Sequence, residues 1–317
     1  MWENSRECGR INIMITILIR QMVIMLFLII AGIYCRYKKI VTDIGKKTIS
    51  NLIVNVVLPF NIIHAYMIEV DHDFWKTFLD VLIVTVLYQV MAFIIAKTFY
   101  FRVEKEKKCI YQYATICSNA GFIGNAVAES LYGQMGILYA SIFLIPQRIM
   151  MWTAGISFFA KEDGKHAFKK ILLHPCMIAT YIGILILAFQ IPVPYVCNSV
   201  IVSISNCCTA LTMMYLGMVL YGVDIRKLLD WDQLRFALIR LIFIPAMVLI
   251  MCKVFSVDKL AAQVCVLLAG MPAGSTTAIL ATQYHKNEEE AAKCVCSSTV
   301  LSLVTTIMWG YLSFYIF

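Results

Sequence analysis

Two short stretches, Asn119-Ala120-Gly121-Phe122-Ile123-Gly124-Asn125 and Met271-Pro272-Ala273-Gly274-Ser275, interrupt otherwise apolar helical runs. Gly121, Gly124 and Gly274 permit unwinding, and Pro272 cannot continue a helix because it lacks the N–H and crowds the preceding turn. Lipid offers no water to the backbone groups freed in this way, so such breaks persist only against protein or a wet cavity. Where each helix restarts, its first N–H groups are free and carry roughly half a unit of positive charge. Two such ends facing one another form a place for a carboxylate or similar anion. Asn119 and Asn125 add side-chain amides, and Ser275, Thr276 and Thr277 add hydroxyls of the kind that cap helices. Two kinks that serve only packing are the plainer alternative.

Three ionisable residues near these stretches extend the possible chemistry. Arg148, in Ile145-Pro146-Gln147-Arg148, lies deep in an apolar run. A guanidinium there costs about 2.5–3.5 kcal/mol and calls for a partner, either Glu129 or a bound anion. The alternative is an Arg that snorkels from a span end. Glu129 and His64 are the remaining titratable candidates near span interiors for coupling to sodium or protons. Other acids, Glu69, Asp71, Asp73, Asp163 and Glu288 to Glu290 among them, fall at span ends or in connections. A cation antiporter would be expected to carry carboxylates at the breaks. An intramembrane enzyme is disfavoured by the absence of HExxH, GxSxG and paired intramembrane aspartates.

The elements that must hold these residues are membrane-spanning helices. The chain has 317 residues, 61% hydrophobic and 15% charged, with a mean hydropathy of +0.80. Runs of about 20 apolar residues recur along its length, each enough to cross the hydrocarbon as a helix. Ten spans are expected, at 11–35, 50–68, 77–99, 110–131, 136–160, 171–191, 199–222, 236–255, 260–283 and 294–316. No soluble domain and no removable signal peptide are expected.

The net charge of +8 does not point to nucleic acid, because the cations cluster between spans. Arg36 to Lys47, Lys97 to Lys108, Lys161 to Lys170, Arg226 to Arg240 and Lys286 to Lys293 fall in alternate connections. The positive-inside rule makes that side cytoplasmic and puts both termini outside a plasma-membrane protein. The twelve cysteines and five histidines, His72 and His166 included, show no zinc-ligand spacing; neither metal nor cofactor is expected.

Five spans per half would make the halves, 1–160 and 161–317, enter the membrane in opposite senses. One ungapped shift of 151 residues carries Gly32 onto Gly183, Pro59 onto Ala210 and Gly121 onto Pro272. These pairs fall in spans 1/6, 2/7 and 4/9, which favours an all-α inverted five-plus-five repeat with broken spans 4 and 9.

Val57-Leu58-Pro59, Ser118 to Gly124, Leu216-Gly217-Met218-Val219-Leu220 and Gly270-Met271-Pro272-Ala273 then carry a resemblance over almost the whole chain. In their order and spacing the chain resembles the auxin efflux carrier superfamily, the bacterial malate-permease-like relatives of plant PIN transporters. Two departures stand out: Ala126 and Ala210 occupy places where the family usually has proline. The resemblance implies a ten-helix fold of the bile-acid-symporter and NhaA type, with a scaffold of spans 1, 2, 6 and 7 and a transport domain of spans 3–5 and 8–10. It also implies secondary transport of small organic anions by elevator-like alternation, dimers formed through the scaffold, Asn119 as a substrate contact and Pro272 as the break in helix 9. A cation-coupled antiporter and a transport-impaired membrane sensor remain the alternatives.

Overall fold

The structure is a computed structural model that describes residues 2–67, 74–101, 103–121, 123–159, 173–221 and 230–317. Glu69, Asp71, His72, Asp73, Arg102, Phe122, the 161–170 cluster with Asp163 and His166, and Arg226 and Lys227 lie outside the described residues, as does the side chain of Ala126.

The described chain is helical, and its only β-type pairing is an isolated bridge. Among the described residues six helices are long and apolar enough to cross a membrane: Asp43–Tyr66, Thr77–Thr98, Met135–Phe159, Tyr195–Leu220, Trp231–Val254 and Glu288–Ile316. Shorter apolar pieces, among them Val23–Tyr37, Pro175–Phe189 and Lys259–Ala269, lie between them. The chain is a multi-pass membrane protein.

In order, the helices are α1 (Trp2–Tyr37), α2 (Asp43–Leu52), α3 (Leu58–Tyr66), α4 (Phe74–Thr98), α5 (Lys105–Ile116), α6 (Ile123–Met150), α7 (Ile156–Phe159) and α8 (Pro175–Phe189). They continue as α9 (Tyr195–Leu220), α10 (Trp231–Leu238), α11 (Ile244–Val254), α12 (Lys259–Ala269), α13 (Thr276–Gln283) and α14 (Glu288–Ile316). Wide π-turns at Ile53–Val57 and Ile239–Phe243 join α2 to α3 and α10 to α11. Each precedes a proline, Pro59 or Pro245, whose ring displaces the ordinary four-residue hydrogen bond. Gly133, with φ 62° and ψ −145°, breaks α6 with a kink between the stretches where spans 4 and 5 are expected.

Close packing rests on residues without side chains. A Cβ on Gly32 would sit 1.9 Å from the Met214 carbonyl oxygen, and one on Gly217 would sit 2.0 Å from that of Ile29, so α1 and α9 meet backbone to backbone. Gly183 on α8 likewise leaves room for the Tyr66 ring of α3. Without a hydrophobic drive between helices in lipid, such small-residue contacts are what hold them together.

Two charged residues lie deeper than the sequence suggests. Glu290, expected in a connection, is in the first turn of α14 and only 4% exposed; it accepts hydrogen bonds from the Tyr111 hydroxyl and from Gln233 Nε2 at 3.0 Å. Arg240, grouped with the connecting cations, is fully buried in the π-turn before α11, and its Nη1 donates to the Tyr88 hydroxyl at 3.3 Å. The charge runs of the connections simply continue into the helices at these points; hydrogen-bond donors offset the burial of Glu290, whereas Arg240 Nε and Nη2 have no partner among the described residues.

Candidate functional site

The two interruptions touch each other. α5 ends at Ile116, Cys117 is extended (φ −109°, ψ 97°), and a single 3₁₀ turn over Asn119–Gly121 leads to α6. α12 ends at Ala269, and the chain stays unwound until α13 starts at Thr276. Asn119 N donates to Pro272 O at 2.7 Å and Gly274 N donates to Cys117 O at 2.9 Å, an antiparallel bridge centred on Ser118 and Ala273. Pro272 can only accept, and its carbonyl does so. Gly274 is required by distance: a Cβ there would lie 2.8 Å from Cys117 Sγ.

The other freed backbone groups find side chains. Gln147 Nε2 donates to Ser118 O at 2.8 Å while Ser118 Oγ donates to Gln147 Oε1 at 2.7 Å, and Ala273 N donates to Ser298 Oγ at 3.2 Å. This is how an apolar surrounding tolerates irregular backbone. The amides of Ser275 and Thr276 have no acceptor among the described residues, as expected at a helix start.

Ser275 and Thr276 line a cavity of ≈50 Å³ whose walls also include Asn119, Gly121, Arg148 and Gly274. A second cavity of ≈310 Å³ adjoins it, sharing Asn61, Gly121 and Arg148 and adding His64, Asn125 and Glu129. The first has room for little more than a water or a carboxylate group, whereas the second falls at the lower end of small-molecule sites, about 300–1,000 Å³.

Arg148 is 5% exposed, and its guanidinium lies over the Tyr66 ring, 5.0 Å from the centroid. No carboxylate among the described residues comes within ion-pair distance, and Nη1 has no hydrogen-bond partner. The cation–π contact offsets about 2 kcal/mol of its burial. Buried Asn119 Oδ1, Ser275 Oγ and Thr277 Oγ1 are also unpaired. Each such group costs about 1–3 kcal/mol, so their gathering at the bridged breaks marks a place built for something other than stability.

Of the residues singled out in sequence, Asn119, Gly121, Gly274, Ser275, Thr276 and Arg148 therefore meet around the inner cavity. Asn125, Glu129 and His64 line the outer one with Gly121 and Arg148. Pro272 contributes its carbonyl to the bridge. Four expectations are corrected. The first break covers Cys117 to Gly121, so Gly124 and Asn125 are already helical; Gly124 instead admits Leu268 and Met271, whose side-chain atoms would lie 3.2 and 3.3 Å from a Cβ. Ser275 is the N-cap residue but its side chain caps nothing, while Thr276 Oγ1 is engaged by the Tyr113 hydroxyl at 3.3 Å and Cys117 Sγ at 3.2 Å. Glu129 is exposed and does not pair with Arg148. His64 does have a partner: its Nδ1 lies 3.2 Å from Ser205 Oγ, which also accepts from Asn61 Nδ2 at 3.0 Å. Gln147, Ser118 and Asn61 were passed over, although a glutamine inside an apolar span is itself a signal of polar glue between helices.

Membrane-embedded helices whose paired breaks line a polar cavity are the architecture of a membrane transport protein, with no arrangement of catalytic groups. The chain belongs to the membrane transport protein family, that of the auxin efflux carriers, whose sequence pattern matches residues 17–310. It is similar to an uncharacterized transporter of Methanocaldococcus jannaschii, 21% identical over 300 residues that cover 91% of this chain and 96% of that protein. An uncharacterized transporter of Methanothermobacter thermautotrophicus is 25% identical over 199 residues, 62% of this chain and 65% of its own length. The protein is a transporter and not an enzyme.

Proposed function

We propose that the protein is a secondary carrier of small organic carboxylates, whose anionic group binds between the two breaks. The observation that carries this reading is that Ser275 and Thr276, whose amides have no acceptor among the described residues, and Arg148, whose Nη1 is unpaired, line one cavity. The amides and the guanidinium supply positive potential in a medium that screens it weakly. Asn119 is the polar side chain placed to orient the substrate.

In this reading ten spans form two inverted halves and the bridged segments are the crossing of spans 4 and 9. Spans 1, 2, 6 and 7 form the scaffold, a grouping supported by the Gly32, Gly217 and Gly183 contacts, and through it two copies associate in the plasma membrane. The remaining spans move as a body against it, exposing the cavity alternately. The larger cavity has Met67 and Glu129 in its walls, near the cation-poor end, which charge asymmetry assigns to the outside along with both termini. At the opposite end Lys46 pairs with Glu288, Thr282 Oγ1 donates to Glu288 at 2.6 Å, and the Tyr215 hydroxyl donates to Thr282. These contacts tie the scaffold to the moving body, as a closed inner gate would. The coupling ion is sodium or a proton, with His64 and Glu129 the titratable candidates.

Counterflow of labelled malonate and butyrate in proteoliposomes tests the proposal. Saturable exchange lost in Asn119→Ala supports it; unsaturable flux indicates a channel, and unchanged flux in the variant removes the site assignment.

A further inference from the structure

We propose that the transported carboxylate also carries a cationic nitrogen several bonds away, and that Glu129 is the partner of that nitrogen. The proposal rests on the carrier reading and names its substrate class: ω-amino acids and basic amino acids.

Gly121, Asn125 and Glu129 follow one another at four-residue spacing from the first break toward the mouth of the outer cavity, and all three line it. Arg148 lines both cavities, whereas Glu129 lines only the larger one. These are opposite charges on one cavity, and neither is neutralised: no ion pair joins them, and Glu129 makes no hydrogen bond or ion pair among the described residues. A dicarboxylate seated on Arg148 would bring its second charge against Glu129, and like charges in a poorly screened space repel. A simple monocarboxylate would leave Glu129 without a role. A solute with a carboxylate at the breaks and an ammonium toward the mouth satisfies both ends.

The spacing selects among such solutes. From the start of α6 at Ile123 six residues of helix lead to Glu129, about 9 Å at helical rise, and the gap is shortened because side chains on a helix lean toward its N-terminus, here toward the break. Charges on adjacent atoms, as in an α-amino acid with an apolar side chain, cannot reach both ends. Charges three to five carbons apart come closer to doing so. His64 does not compete for the nitrogen's partner, being held by Ser205.

The test compares matched pairs that differ by one distal amine, γ-aminobutyrate with butyrate and 6-aminohexanoate with hexanoate, in counterflow with proteoliposomes and in thermal stabilisation of the detergent-solubilised protein. At least one amino compound is expected to act at a concentration tenfold or more below its plain acid. Glu129→Gln is expected to erase that advantage, bringing each amino compound to the level of its plain acid. Plain acids carried as well as or better than their amino counterparts overturn this inference and leave the carrier reading standing. Equal loss of both classes in Glu129→Gln also overturns it, in favour of a coupling role. Neither binding nor flux of any of the four, nor of malonate, overturns this inference and the carrier reading together.

Discussion

The backbone amide of Asn119 donates to the carbonyl of Pro272 at 2.7 Å, so the proposed substrate contact is held by the proline that breaks the other helix. Asn119 uses its main chain for architecture, and its side-chain amide has no partner among the described residues, which leaves Nδ2 to donate to a carboxylate. Asn119→Ala should therefore keep the bridge. Its transport should fall about tenfold or more, the loss of one hydrogen bond to a charged group at about 1.5–3 kcal/mol, while its melting temperature in detergent stays near that of the parent.

Gly274 tests the bridge itself. Because an added Cβ would lie 2.8 Å from Cys117 Sγ, Gly274→Ala should destabilise by about 1–3 kcal/mol, the usual cost of overpacking. Removing the obstructing sulfur should return part of that. A double-mutant cycle with Cys117→Ala, read by thermal unfolding, should give a coupling of about 0.5 kcal/mol or more, whereas additive effects would mean the two segments do not touch.

Gln147 fixes Ser118 through two reciprocal hydrogen bonds. Gln147→Leu leaves a buried carbonyl and hydroxyl unpaired and should cost about 1–3 kcal/mol. Ser118→Ala loses one bond and spares the carbonyl, so it should be milder. Reversal of that order in thermal unfolding would show that the clamp is not what supports the bridge.

Much of this site was visible in the sequence because its breakers are rare residue types in apolar runs. Gly121, Pro272 and Gly274 announce unwound backbone, and Arg148 announces a charge with a purpose. The register of the first break was not visible. Cys117 and Ser118 carry no breaking signature; they unwind because Pro272 and Gly274, more than 150 residues away, supply their hydrogen-bond partners. Glu290 and Arg240 were misread for a related reason, since linear charge runs say where a connection is but not where the helix absorbs it. The pairing of His64 with Ser205 depends on the packing of α3 against α9, which no local pattern encodes.

At the cation-rich end, Lys46 on α2 pairs with Glu288 at the start of α14, and both side chains are partly shielded. Lys46→Glu puts two carboxylates together and should lower stability by about 1 kcal/mol and disturb flux. The exchanged pair, Lys46→Glu with Glu288→Lys, should recover both. Failure of the exchange to rescue would locate the effect in the separate contacts that Lys46 and Glu288 make with Asp43 and Thr282.

Glu290 separates charge from hydrogen bonding. Its Oε1 accepts from Tyr111 and Gln233, while Lys107 Nζ is 3.8 Å from Oε2. Gln233 is itself fixed by Ser297 Oγ, which donates to its Oε1 at 3.1 Å, so the cluster cannot easily rearrange. An amide oxygen at position 290 can still accept both donors, and Lys107 is exposed enough to be solvated without its partner. Glu290→Gln should accordingly be tolerated, with a stability change within about 1 kcal/mol. Glu290→Leu strands the Tyr111 hydroxyl and the Gln233 amide in an apolar surrounding and should cost about 1–3 kcal/mol for each group left unpaired. If thermal unfolding finds Gln as damaging as Leu, the negative charge is what the fold needs there, and the ion pair with Lys107 outweighs the two neutral donors.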